Sequence, residues 1–534
     1  MQGAADDRSG RAHDASVRTI PDLVERAAAD YGSESAIEDG EKRLSFAALA
    51  DAARAATRAY LAAGIEPGDR VAIWAPNLWE WIVAALGLQS AGAVLVPLNT
   101  RLKGREAGYI LRKSRARLLL TVGEFLGMRY VDALRGEDLP DLERIVALRE
   151  AAAGAIGWDA FLAEGNAVPE RSARARSESV SPDDLSDLLF TSGTTGNPKG
   201  VMTTHAQNLR AFAAWGEVIG LRAGDRYLVV NPFFHAFGYK AGWLVSLLHG
   251  ATVLPHAVFD VPAVLARIAR ERISMLPGPP TLYQSILAYP ERDRFDLSSL
   301  RLAVTGAAAI PVELVHRMRD ELGFETVITG YGLTECCGIV SMCRFDDDPE
   351  TIAKTSGRAI PDVEVRCVDA DGKPVPPGQP GEVVVRGYVV MKGYFDDPEE
   401  TAKAIDAEGW LHTGDVGVMD ERGYLRITDR IKDMFIVGGF NCYPAEIEKL
   451  LYDSGRFAHV AVVGIPDERL GEVGMAFVVP APGCEATPAS VIEWCRANMA
   501  NYKVPRRVEV VDALPTNASG KVMKFVLRDR ARGA

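Results

Sequence analysis

Residues 181–200 read SPDDLSDLLFTSGTTGNPKG. Ser181, a proline and two aspartates read as a helix N-cap, with Pro182 at the first helical position and acids on the positive helix end. The apolar run at 188–191 then reads as a buried strand. TSGTTGNPKG at 191–200 follows it. Gly193, Gly196 and Gly200 let the backbone turn N–H groups inward, Thr191, Ser192, Thr194 and Thr195 bring hydroxyls, and Lys199 brings charge. Such a loop cradles an anion, and phosphate is the expected guest. It is not a Walker A loop, because Lys199 is followed by Gly200 where Ser or Thr is required.

Outward from this stretch, helical periodicity at Leu23, Ala27 and Ala28 alternates with strand-like runs at 70–73, 94–96 and 118–122, which implies a layered α/β sheet. Beyond about Gly357 the texture changes. Turn pairs in VDADGKPVPPGQPGEVVVRG and MDERGYLRITDR separate β-prone runs and suggest a β-rich subdomain. From Lys432 a mixed module of about 100 residues follows, within the ordinary domain range. The expected fold class is therefore α/β multidomain: a large N-terminal domain of two α/β subdomains plus a β-rich subdomain over 19–430, and a small mobile α+β C-terminal domain over 431–534. Residues 1–18, acidic and Gly/Ala-rich without an apolar core, read as a disordered lead and not as a signal peptide. The alanine-rich stretch at 52–62 reads as a solvated helix.

The whole chain sets limits on function. Its 534 residues carry 60 Lys and Arg against 72 Asp and Glu, a net charge of −12 with no basic excess for a nucleic acid. Seven cysteines with no CxxC spacing suggest neither a disulfide framework nor a zinc site, so a cytoplasmic location is expected. The longest apolar stretch, 81–98, contains Gln89, Ser90 and two glycines and reads as a buried helix and strand, not a membrane span.

Further motifs carry chemistry. GYGLTE at 330–335 offers a ring, a hydroxyl and the carboxylate that a hard cation needs. GWLHTGDVG at 409–417 holds Asp415, an acceptor-only group suited to two hydroxyl donors. DRIKD at 429–433 alone would be a solvated charge run, and PTNASGK at 515–521 alone an ordinary loop. In VGGFNCYPAEIE at 437–448, Gly438 and Gly439 permit close backbone approach, and Pro444 opens a helix with Glu446 near its positive end. Competing signatures are missing: there is no GxSxG elbow, and Gly330-Tyr-Gly332 lacks the third glycine of a dinucleotide fingerprint.

Taken together and in this order, from about 19 to 524, these motifs resemble those of the adenylate-forming superfamily, which includes acyl-CoA synthetases, carrier-protein-linked adenylation domains and luciferases. The resemblance implies a phosphate-binding loop at 191–200, Tyr331 on adenine, Thr334 at the α-phosphate, Glu335 and Thr191 holding Mg2+, and Asp415 and Arg430 at the ribose. It also assigns Gly306, Ala307, Ala308, Gly330, Gly332 and Ile427 to the ATP site. Lys432 matches the hinge, Lys521 the adenylating lysine, and Gly438, Gly439 and His235 the passage for CoA. The implied reaction joins a carboxylic acid to AMP from ATP, releasing pyrophosphate, then passes the acyl group to CoA while the C-terminal domain swings as a lid.

The acyl pocket is expected along FFHAFGYKAGW at 233–243 and GAAA at 306–309, with His235, Phe237, Gly238, Tyr239, Lys240, Trp243, Thr305 and Gly332 as its residues. The aspartate that pairs an α-amine in amino-acid-activating relatives is replaced here by Phe237, so a substrate amine is not expected. Lys240 is either a solvated helix residue or a donor to a ketone on the substrate. This segment and GPPTLYQS at 278–285 resemble those of bacterial ligases for steroid-derived ring propanoates. A medium- or long-chain fatty acid ligase and a stand-alone enzyme loading a carrier protein are the alternatives. A homo-oligomer is compatible with the sequence, and the pattern around Lys521 resembles an acetylation target, which implies a lysine acetyltransferase as partner.

Overall fold

The computed structural model describes residues 17–192, 197–306, 310, 312–430, 435–442, 444–481, 483–515, 522 and 524–532. Of the expected site positions, Gly193, Thr194, Thr195, Gly196, Ala307, Ala308, Lys432 and Lys521 lie outside the described residues, as do the side chains of Ser192 and Arg430.

One sheet has eight strands in the spatial order Gly393–Tyr394, Pro198–Thr204, Leu185–Ser192, Val94–Pro97, Arg70–Trp74, Ala116–Thr121, Arg144–Ala147 and Ile156–Gly157. From Leu185–Ser192 onward the pairing is parallel. Parallel strands are covered on both faces and need continuous apolar runs, which VAIW and VLVP supply. Helix Trp79–Ser90 is buried along all but its first residue, and Gly87 lets it approach helix Phe46–Ala62 so closely that an added Cβ would sit 2.4 Å from Ala56 Cβ. The alanine-rich helix is thus only half solvated. It buries Ala50, Ala53, Ala56 and Ala59 against its neighbours.

Residues 181–184 correct the expected helix start. Ser181 Oγ accepts from the Asp183 amide at 3.3 Å and Asp184 Oδ2 from the Ser181 amide at 2.8 Å, closing a turn that leads directly into strand Leu185–Ser192. Caps and turns use the same side-chain-to-backbone bonds, so the local sequence does not tell them apart.

A second sheet forms from two four-stranded pieces, Arg226–Val229, Thr252–Pro255, Ser35–Asp39 and Lys42–Ser45, and Leu302–Gly306, Thr326–Tyr331, Ser341–Met342 and Arg358–Ala359. Met275 bridges them, pairing in parallel with Tyr227 and Leu302. A third, antiparallel sheet takes Val363–Val368, Pro380–Gly387, Leu411–Met419 and Leu425–Arg430, the β-rich unit anticipated from the turn pairs. A separate apolar core gathers residues between Phe435 and Ala531 around the long hairpin Phe457–Asp467 and Gly471–Pro480 and helices Pro444–Asp453, Pro488–Asn498 and Lys524–Arg532. No helix among the described residues is long and apolar enough to cross a membrane.

His205 ties the N-terminal helix to the first sheet: its Nδ1 accepts from the Ile20 amide at 3.2 Å in a fully enclosed site. Burial lowers its pKa from 6.5 to about 4. The unfolded chain therefore binds a proton first as pH falls. The stability this neutral ring contributes is intact above pH 6.5 and drains away toward pH 4, by about 3 kcal/mol at most. Denaturant melts across that window should show His205→Gln losing less stability on acidification than the parent chain.

Candidate active site

The chemistry-bearing segments meet where the three N-terminal sheets come together. Strand Leu185–Ser192 turns back as Pro198–Thr204, with Thr191 opposite Lys199 and Ser192 opposite Pro198, so the glycine-rich motif straddles the end of a hairpin. Next to that hairpin, Tyr394 pairs with Val201. Its hydroxyl donates to Glu335 Oε1 at 2.9 Å, and its ring lies 4.9 Å from the Lys199 ammonium. Lys199 is almost wholly buried and forms an ion pair with Glu400, whose carboxyl is held at a pKa of about 2 by hydrogen bonds from Lys199 and Lys403. The Lys199 charge is thus compensated by a carboxylate, and it anchors the hairpin to helix Pro398–Ala404. No local sequence signal singles out Tyr394 or Glu400. The Asp-Pro-Glu-Glu helix start at 397–400 was readable, but nothing local links it to a lysine 201 positions away.

Glu335 sits in the short turn Thr334–Cys336 that follows strand Thr326–Tyr331. Its backbone carbonyl accepts from the Met391 amide at 2.9 Å. No group of three or more His, Cys, Asp or Glu among the described residues could hold a metal. A cation on Glu335 would take its remaining ligands from phosphate and water, which is how Mg2+ is ordinarily held, so the donor set fits that ion.

The second contact joins the second and third sheets. Tyr331 Oη donates to Asp415 Oδ2 at 2.6 Å, and burial together with that carboxylate pushes the phenol pKa well above its ordinary value. Tyr331 therefore stays a donor and fixes one oxygen of Asp415. Asp415 faces Arg430 across the antiparallel pair, and Ile427 packs at the edge of the core on the same strand. Gly306 and Gly330 pair in parallel so closely that a Cβ on Gly306 would lie 2.9 Å from the Gly330 oxygen. One on Gly332 would lie 2.2 Å from the Gly338 oxygen.

Along 233–243 the expected pocket needs correction. His235 is exposed and Phe237 half-buried. The His235 Nδ1 accepts from the Phe237 amide at 3.2 Å, which leaves the proton of the neutral ring on Nε2, and the surrounding protein lowers its pKa. Gly238 packs so tightly that a Cβ would meet the Pro232 oxygen at 2.1 Å. Tyr239 and Trp243, in contrast, are core residues. They stack at 4.8 Å beneath Trp81, and the Tyr239 hydroxyl accepts from Gln89 Nε2 at 2.8 Å, so neither offers surface to a cavity. Lys240 is neither solvated nor directed at a substrate. It has no exposed surface, and its ammonium lies 3.0 Å from Asp187 and 2.9 Å from Thr203 Oγ1. Thr305 is buried with its hydroxyl unpartnered, and it precedes the glycine-alanine stretch as expected.

The C-terminal unit packs on this region. Gly438 and Gly439 have φ of 54° and 86°, and Gly439 comes within van der Waals reach of Pro279, 3.8 Å from its Cγ to an added Cβ. Phe440 stacks on Tyr502 at 4.8 Å and lies under Arg101, 4.7 Å from its guanidinium. Lys503 is only 3% exposed, and its ammonium reaches Glu106 of the N-terminal unit at 2.8 Å and Glu446 of its own at 2.6 Å. Burial works against its charge, yet the two carboxylates hold its pKa well above the ordinary lysine value.

Residues 24–395 match the family described as AMP-binding enzyme, and residues 446–521 match the AMP-binding enzyme C-terminal domain. The chain is 52% identical over 520 residues, 96% of its length and 99% of the relative's, to a protein of Rhodococcus jostii (strain RHA1) named 3-[(3aS,4S,7aS)-7a-methyl-1,5-dioxo-octahydro-1H-inden-4-yl]propanoyl:CoA ligase. It is 50% identical over 513 residues, 96% of its length and 99% of the relative's, to a protein of the same name from Mycobacterium tuberculosis (strain ATCC 25618 / H37Rv). The o-succinylbenzoate CoA synthetase of Bacillus subtilis has been solved in two states. A double mutant bound with its product analogue OSB-NCoA superposes with a TM-score of 0.78 at 29% identity, covering 95% of this chain and 98% of that one. The complex with the acyl-adenylate intermediate OSB-AMP gives 0.63 at 28% identity, with coverages of 96% and 98%.

Proposed function

The chain belongs to the AMP-binding enzymes and is an AMP-forming acid–thiol ligase using ATP and CoA, and on that premise we propose that its acid is a bulky bicyclic ring propanoate carrying ketones. The identity of 52% to a ligase named for such an acid, extending over 96% of the chain, is the observation that carries this reading. The phenylalanine at 237 and the absence of a pairing aspartate along 233–243 agree with an acid lacking an amine. We place the reaction in the cytoplasm.

In the first half-reaction a carboxylate oxygen attacks the α-phosphorus of ATP, and the bond to pyrophosphate breaks. Asp415, held by Tyr331, accepts from the ribose hydroxyls, and Thr191 and Thr334 donate to phosphate oxygens. The glycines at 306 and 330 let their two strands and the strand at Ser341–Met342 pack without side chains between them. Mg2+ on Glu335 would neutralise phosphate charge and polarise the α-phosphoryl group. Lys521 neutralises the two anions as they meet. In the second half-reaction a thiolate attacks the acyl carbon and AMP leaves as a far better leaving group than oxide. Neutral His235, with its proton on Nε2, borders the approach without placing a second charge beside the thiolate.

The lid arrangement described above, with Gly439 against Pro279 and Lys503 bridging the two units, we assign to the thiol step. The better superposition on the product-analogue form of one synthetase than on its adenylate form supports this. Lys521 and the hinge Lys432 then act in the alternate arrangement, by a lid-type rotation.

Asp415→Ala removes the ribose acceptor and should raise the KM for ATP about 10- to 100-fold, the span of about 1.5–3 kcal/mol for a hydrogen bond to a charged group, with the KM for acid little changed. Steady-state titration of each substrate checks the split. For the acid itself, CoA-dependent AMP formation across short, long, aromatic and ring propanoates should favour the dioxo-octahydroindenyl propanoate. An equal or better rate with plain fatty acids would refute the assignment.

A further inference from the structure

Asp187 and Lys240 form an ion pair at 3.0 Å with no exposed surface on either side chain. Every acceptor of Asp187 is used. Oδ1 also accepts from Thr203 Oγ1 at 2.7 Å, and Oδ2 accepts from Ser186 Oγ at 2.8 Å and Asn208 Nδ2 at 2.6 Å. Lys240 Nζ donates in addition to Thr203 Oγ1. None of these groups faces the nucleotide or the acid, so the chemistry above makes no direct use of them.

Their placement is specific. Asp187 and Thr203 lie on the two strands of the nucleotide hairpin, and Asn208 on helix His205–Ile219 that follows it. Lys240 lies on the π-helical turn Tyr239–Leu244, which continues the segment bearing His235 and Phe237. A π-turn inserts one residue into helical spacing and is frequent at functional sites. Here it belongs to the segment whose lysine ends inside the protein. Removing one partner of such a pair strands a buried charge, whereas replacing both by apolar groups of similar volume is often neutral or stabilising. Apart from the hydrogen bonds that Asp187 accepts, stability therefore gives little reason for an ion pair at this place.

We propose that the Asp187–Lys240 pair is a positioning element that sets the acyl segment 233–244 against the nucleotide hairpin 185–204, aligning the substrate carboxylate with the α-phosphate. The proposal rests on the acid-adenylating reading given above.

The test is the double variant Asp187→Asn/Lys240→Met, which removes both charges but keeps an acceptor for the buried Ser186, Thr203 and Asn208 donors, compared with Lys240→Met alone and with Lys240→Arg. Lys240→Met should lose melting temperature and activity together. The double variant should regain the melting temperature but keep a deficit of about 10- to 100-fold in adenylation kcat, the scale of a misplacement near 1 Å, read as pyrophosphate release at saturating ATP and ring propanoate. Conversion of a supplied acyl-adenylate to thioester should fall by no more than about three-fold, since carboxylate and α-phosphate are already joined in that substrate and need no alignment. A double variant with wild-type melting and wild-type adenylation overturns the proposal. If the double variant does not fold, Lys240→Arg decides: it keeps the charge but alters its geometry, and undiminished adenylation there overturns the proposal as well. A wild-type chain that adenylates no acid removes the underlying reading instead, which separates the two failures.

Discussion

Lys521→Ala is expected to lower acid adenylation by about 10²–10³ in kcat while leaving thioester formation from a supplied acyl-adenylate within about two-fold. The first half-reaction brings a carboxylate toward a polyphosphate. Two like charges must approach within bonding distance, and a preorganised ammonium in a water-poor site is the cheapest way to offset that repulsion. The second half-reaction has no such approach, because the acyl carbon is attacked after pyrophosphate has gone. ATP–pyrophosphate exchange and CoA-dependent AMP release from synthetic adenylate read the two halves separately. Equal loss in both would mean that Lys521 supports the fold or both steps, and would remove the adenylating role.

Lys503→Met is expected to do the reverse. In the arrangement seen here the ammonium joins Glu106 and Glu446 across the boundary between the units. Without it, two carboxylates face one another in a dry interface. Breaking a buried pair in this manner costs about 3–5 kcal/mol when the structure cannot relax. The lid can relax by leaving this arrangement, so the penalty falls on whichever step requires it. Thioester formation should fall about 100-fold or more, with pyrophosphate exchange within about three-fold. Glu106→Gln should give a milder form of the same split, since Lys503 keeps Glu446. A uniform loss in both half-reactions would argue that the contact stabilises the fold without selecting a lid position.

Much of this molecule is legible locally. The alternation of helical and strand-like runs and the turn pairs beyond Gly357 each carry their meaning within a few residues, and the layered sheets follow from them. Asp415 and Glu335 take their expected roles from the family resemblance of their motifs, since GYGLTE alone also reads as an ordinary turn. Long-range pairing was not legible. Lys199 reads as a phosphate-binding cation, yet its partner Glu400 lies 201 positions away, and Tyr394 joins Lys199 to Glu335 through a sheet edge that no local pattern announces. Lys240 misleads for the same reason. A lysine among aromatic residues suggests either solvent or a ligand, and only the fold brings Asp187 to it. Tyr239 and Trp243 read as pocket walls because apolar character alone does not say whether a ring faces a cavity or the core. At 181–184 the ambiguity is intrinsic, since a turn and a helix cap share one set of hydrogen bonds.

The central claim is that one active site joins an acid to AMP and then hands the acyl group to CoA. Mass spectrometry of a staged reaction tests it most directly. With ATP, Mg2+ and the dioxo-octahydroindenyl propanoate but no CoA, the account predicts an enzyme-bound acyl-adenylate and one equivalent of pyrophosphate, and addition of CoA should convert that adenylate to acyl-CoA and AMP in equal amounts. ADP and inorganic phosphate as products, or AMP released at the same rate without the acid, would contradict it.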